Sequence, residues 1–137
     1  MKLENTVKAK LGRGELALGV GIRQARTVDI GKAMKTAGFD WMFIDMEHNA
    51  MGIDIATQIA VAAQDTGITP LIRVPGFEHH HAARALDCGA QGIVFPHVDD
   101  AETAKRLASY CLYPPSGYFA KSSCGSTPVI ERDPAGG

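Results

Sequence analysis

Asp45, Glu47 and His48 place two carboxylates and an imidazole within four residues, at the end of the apolar run FDWMFIDMEH that spans Phe39 to His48. An imidazole titrates near neutrality and a carboxylate can hold or orient its proton, so this grouping suits proton transfer. It is costly to bury unless paired, although a solvated turn after a strand would show the same composition. Arg73, in the segment PLIRVP, brings five N–H donors that fit a planar carboxylate or an enolate oxygen. An internal ion pair with Asp45 accounts for it equally, and the two roles are compatible. Asp87 falls in the last turn of a predicted helix, where the carbonyl end of the helix dipole disfavours negative charge. A partner imidazole would offset that cost and gain basicity from it; exposure to solvent would also explain it. His97 follows Pro96 and a strand, which makes it a possible lining residue at the same rim. His79, His80 and His81 do not form a natural chelate, because neighbouring residues on a helix point about 100° apart.

The elements that position these groups read as repeated strand and helix. The run from Trp41 to Ile44 is aromatic and β-branched without polar alternation, the pattern of a parallel strand buried on both faces. Leu3, Val7 and Leu11 predict a short opening helix, and Glu15 to Ile22 a first strand. Thr27 is the expected N-cap of a helix that Gly38 closes; Ile55, Ile59 and Ala63 predict the next, closed by Gly67. Pro70 to Val74 is a third strand, Glu78 to Cys88 a helix ended by Gly89, and Gln91 to Phe95 a fourth strand. Asp99, with Glu102 three residues on, is the expected start of a last helix reaching Tyr110. Alternation along the third strand sends Ile72 and Val74 to the helix side and Arg73 to the opposite face. Gly19 and Gly21 lie inside a strand, where they cannot cradle a phosphate.

This rhythm is α/β, about the first four βα units of a (β/α)8 barrel, a fold that takes about 250 residues against the 137 here. After Gly117 the apolar periodicity stops, so residues 1–117 read as a barrel half and 118–137 as an irregular or disordered tail. Fourteen basic against fifteen acidic residues give no positive field for nucleic acid or a membrane surface. A small-molecule partner fits better. Cys88, Cys111 and Cys124 form neither a CxxC pair nor a zinc module, which favours reduced thiols in the cytoplasm, and neither a leader nor a membrane-spanning run is visible.

AGFDWMFIDMEH, PLIRVP, RALDCGAQGIVFPHV and YPPSG, in this order, resemble the HpcH/HpaI aldolases, metal-dependent class II pyruvate aldolases of the phosphoenolpyruvate/pyruvate barrel superfamily. The resemblance runs from about Leu11 to Gly117. It implies cleavage or formation of 4-hydroxy-2-oxoacids through a pyruvate enolate, with a 2-oxoacid such as pyruvate and an aldehyde as partners and a homo-oligomeric assembly. His48 matches the base, Asp87 the aspartate that raises its basicity and Arg73 the arginine that steadies the enolate. Asp45, with Glu47 beside it, matches the acidic contact to substrate or metal-bound water. The resemblance also implies a divalent ion of the Mg or Mn type, whose glutamate and aspartate ligands match nothing in this sequence; Glu131 and Asp133 lack the strand context for that role.

Gly19 stands where the family often has tryptophan, and Phe119 and Ala120 where an arginine and a glycine are expected. The abrupt loss of pattern after Gly117 suggests a truncated aldolase whose missing part lies in another reading frame or across a splice junction. A non-catalytic half-barrel that acts through association, or a citrate-lyase-like enzyme on a CoA thioester, are the alternatives.

Overall fold

The computed structural model describes residues 4–114. The proposed tail, Glu131, Asp133 and most of YPPSG lie outside that range. Helix α1 spans Thr6–Gly12, and four strands then alternate with four helices: β1 Gly19–Ile22, α2 Ile30–Thr36, β2 Trp41–Asp45, α3 Ile53–Asp65, β3 Thr69–Arg73, α4 His79–Asp87, β4 Gly92–Val94 and α5 Ala101–Ser109. The strands form one parallel sheet in the order β1-β2-β3-β4, the succession expected of consecutive βα units. Among the described residues no helix is long and apolar enough to cross a membrane.

Packing separates the two faces of the sheet. Met42, Ile44, Ile72 and Val74 are fully buried against Ala56, Ile59, Ala60 and Ala63 of α3 and Ala85 of α4. Each large aliphatic side chain removed from water in this way is worth about 1.5–3 kcal/mol. Alanines on the inner stripe of α3 let the helix approach the sheet closely. Trp41, Phe43, Leu71 and Arg73 project from the opposite face and are only half-buried. The expectation of a strand covered on both faces is therefore met on the helix side alone within residues 4–114. Alternation at β3 follows the sequence reading, with Ile72 and Val74 under the helices and Arg73 on the other side.

Gly19 and Trp41 are paired in register, and the Trp41 indole lies so close that a Cβ on Gly19 would come within 2.1 Å of it. A side chain on the first strand there would require the Trp41 indole to move. Opposite the site, α1 runs along the N-terminal ends of the strands. Lys10 Nζ donates to both Asp40 oxygens at 3.0 and 2.9 Å, and the Thr6 and Thr69 hydroxyls are 3.3 Å apart.

Helix ends follow the glycines. After α3, Gly67 (φ +73°) lets its own N–H reach the Gln64 carbonyl and the Ile68 N–H reach Ala63, and Gly38 and Gly89 repeat the arrangement. Two helix starts differ from expectation. Asp29, not Thr27, precedes α2, because Thr27 instead accepts from the Ile30 N–H in a tight turn at 3.4 Å. Asp100, not Asp99, caps α5, its carboxylate accepting from the Thr103 N–H at 2.7 Å. The strands are also shorter than predicted, β1 beginning at Gly19 rather than Glu15 and β4 spanning three residues.

Candidate functional site

Register carries Asp45 and Arg73 side by side, since these two residues pair at the C-terminal ends of β2 and β3. Arg73 Nε donates to Asp45 Oδ1 at 3.0 Å and Nη2 to Oδ2 at 2.6 Å, a bidentate fork. The guanidinium also lies 5.2 Å from the centre of the Phe43 ring. Two of its five N–H donors are spent on Asp45, and the guanidinium is also ion-paired with Glu47. Asp45 is 2% exposed, and the Arg73 hydrogen bonds, more than offsetting burial, hold its carboxyl down to about 2, helped by the backbone N–H groups of Glu47 and His48. Arg73 is correspondingly raised, first by its bond to Asp45.

The same carboxylate shapes the turn that follows. Asp45 Oδ1 accepts from the N–H of Glu47 at 2.9 Å and of His48 at 3.2 Å, and Asn49 Nδ2 donates to the Asp45 carbonyl. The turn is thereby fixed from its buried side. Glu47 bends back over the sheet end: its Oε2 lies 3.2 Å from Arg73 Nε and 3.6 Å from His48 Nε2, and its Oε1 lies 2.8 Å from His97 Nε2. His97, half a sheet away in sequence, reaches Glu47 with φ +48°, the one non-glycine residue of positive φ among the described residues. His48 is exposed at the rim, where an imidazole can meet a substrate.

Asp45, Glu47, His48, Arg73 and His97 are brought together. Asp87 is not among them. It ends α4, and the chain just beyond it bonds to the start of β3, Gln91 N–H donating to the Pro70 carbonyl at 2.9 Å. Asp87 therefore belongs to the rim at the other end of the strands from Arg73. The histidine tract is less splayed than an offset of about 100° suggests. His79 turns edge-on to Tyr110, while the His80 and His81 rings lie tilted at 46° with centroids 4.3 Å apart.

Arg23 was not apparent from the sequence. It follows β1 at the same rim, donates from Nη2 to the His48 carbonyl at 2.8 Å and holds Nε 3.9 Å from Asp45 Oδ2. Its position one residue past a strand end was the available signal, but its partner is a backbone carbonyl, which leaves no residue pattern to read.

The described residues do not offer a hard, oxygen-rich site for an Mg- or Mn-type ion. Among them, the group of side chains whose ligand atoms converge is Glu47, His48 and His97, one carboxylate and two imidazoles.

A half-barrel of parallel strands with an Asp–Arg pair and a Glu–His turn at its C-terminal rim defines a (β/α)8-type enzyme scaffold. The chain belongs to the HpcH/HpaI aldolase/citrate lyase family, whose model matches residues 24–130. It is 38% identical over 132 residues to a 4-hydroxy-4-methyl-2-oxoglutarate aldolase of Hapsidospora irregularis, covering 93% of this chain and 47% of that protein. A hydroxypyruvate/pyruvate aldolase of Roseobacter denitrificans is 37% identical over 115 residues, covering 82% and 44%. The chain thus spans about half the length of the curated relatives it matches. Among solved structures, an HpcH/HpaI aldolase from Desulfitobacterium hafniense superposes with a TM-score of 0.80 at 30% identity, over 85% of this chain and 45% of the other. Macrophomate synthase superposes at 0.75 with 26% identity, over 94% and 44%.

Proposed function

We propose that this chain carries the enolate-handling half of a lyase that cleaves or forms 4-hydroxy-2-oxoacids through pyruvate enolate. The observation that supports this most is the Asp45–Arg73 fork at the same rim as His48. Arg73 would hold the carboxylate or the C2 oxygen of the 2-oxoacid. His48 would take the proton from the C4 hydroxyl; the C3–C4 bond then breaks, the aldehyde leaves, and the electron pair stays on the pyruvate fragment as its enolate. A proton delivered to C3 by the imidazolium gives pyruvate and restores the base. Fixed cationic donors facing the enolate oxygen lower the barrier by several kcal/mol in sites of this kind, about 3 kcal/mol for one donor.

Asp45 keeps Arg73 and the Glu47–His48 backbone in place, and Arg23 holds the His48 carbonyl. Asp87 raises the basicity of His48 in this reading only if it comes from another copy of the chain, since its own His48 lies at the far rim. That assignment requires a homo-oligomer, and a cytoplasmic location is the one that suits an exposed thiol such as Cys88. The Mg- or Mn-type ion of the family finds no oxygen ligand set within residues 4–114, so these steps use only the chain's own groups.

Pyruvate release from 4-hydroxy-4-methyl-2-oxoglutarate and from 4-hydroxy-2-oxopentanoate, followed by coupled NADH oxidation, tests the reading. Release that Arg73→Ala lowers at least about a hundredfold supports it. Turnover confined to a CoA thioester would instead favour a citrate-lyase-like reaction, and no turnover with any of them a scaffold role.

A further inference from the structure

Glu47 turns one oxygen toward each of two imidazoles, Oε1 at 2.8 Å from His97 Nε2 and Oε2 at 3.6 Å from His48 Nε2. One donor atom from each of Glu47, His48 and His97 falls within 4.8 Å of the others. We propose that these three side chains form a site for an imidazole-preferring divalent transition ion, represented by Zn2+, distinct in ligand chemistry from the Mg- or Mn-type ion implied by the family.

The donor set is that of one carboxylate and two imidazoles with a position left for water, which suits Zn2+ and Co2+ and disfavours Mg2+. Ligand atoms around a tetrahedral zinc lie about 3.4 Å apart, from bonds of about 2.0–2.2 Å. His48 and His97 side chains are 57% and 75% exposed, so rotating them inward to that spacing displaces nothing in the core. Glu47 is the fixed member, 12% exposed, its solvent-hidden Oε2 held by the ion pair with Arg73 Nε at 3.2 Å. Its backbone and that of His48 are held by Asp45 Oδ1. The nearest cation, Arg73, is shared between Asp45 and Glu47 Oε2, which leaves Oε1, the oxygen that faces His97, for an ion. His97 holds its imidazole over Glu47 from a left-handed backbone conformation, which the chain adopts at a cost.

An ion bound here takes the lone pair of His48, so its occupancy excludes His48 as a free base. The inference concerns binding alone, and stands or falls separately from the aldolase reading.

Titration of the intact protein with Co2+, read by visible d–d absorption, tests the site. Bands that Zn2+ displaces and Mg2+ does not, with affinity at least about tenfold weaker in both His97→Ala and Glu47→Gln, are expected. The double variant His80→Ala/His81→Ala should bind as the parent does. Affinity unchanged in His97→Ala, loss that follows the His80/His81 variant, or absence of bands in the folded protein would overturn the site. Because His97 is exposed, its substitution leaves the fold intact, which circular dichroism on the same sample verifies.

Discussion

Asp45 organises the rim more than any other residue, because one side chain accepts from Arg73 twice and from the Glu47 and His48 backbone. Its depressed pKa has a consequence for stability. A carboxyl held at about 2 in the folded chain and near 3.8 when unfolded contributes stabilisation that is complete above pH 3.8 and lost as pH falls through 2. That contribution is about 2 kcal/mol. Asp45→Asn should cost about 3 kcal/mol at neutral pH, since half-buried Arg73 loses its bidentate partner and keeps only the Glu47 carboxylate. It should also flatten the decline in stability between pH 4 and 2. Urea denaturation at several pH values measures both effects, and a steep acid decline retained in Asp45→Asn would place the titrating group elsewhere. The Asp45–Arg73 pair was legible in advance because strand alternation fixes which side chains share a face. Arg23 was not, because it works through a carbonyl.

At the scale of elements, α2 and α3 meet where Gly31 faces the Ala63 backbone, a Cβ on Gly31 coming within 3.1 Å of Ala63 Cα. Gly31→Val should push the two helices apart and destabilise by about 1–3 kcal/mol, whereas Gly52→Ala, where added atoms meet open space, should change little. Thermal denaturation of the two variants compares a glycine packed against backbone with one facing open space. Helix ends were readable from single residues, since a glycine at the left-handed position stops the chain in one way. Helix starts were less so. Asp99 and Asp100 are chemically identical candidates, and the choice rests on which oxygen reaches the Thr103 N–H, a one-residue difference decided by how the loop leaves β4.

For the whole molecule, residues 4–114 leave Trp41, Phe43 and Leu71 half-covered on the face opposite the helices, and Asp87 at the rim opposite His48. The half-covered apolar face is the basis for expecting association. Sedimentation of the purified chain should show dimers or larger species, and a compact monomer at micromolar concentration would count against the assembly. If Asp87 serves His48 of another copy, a mixture of His48→Ala and Asp87→Asn chains should recover activity that neither has alone, because some mixed sites contain both native residues. Recovery would be absent if the two residues act within one chain. The barrel class was visible in the spacing of glycines and apolar runs, but the distance between Asp87 and His48 was not, since sequence periodicity shows which element a residue occupies and not which rim it reaches.

His48 as the proton-moving group beside Arg73 is the central claim, and exchange of the pyruvate methyl protons with deuterated water tests it without requiring an acceptor. Followed by proton NMR, the native protein should exchange them well above buffer, and His48→Ala should lower the rate at least about a hundredfold, the scale of general-base catalysis. Exchange undiminished in a folded His48→Ala protein, or no exchange by the native protein, would contradict the account.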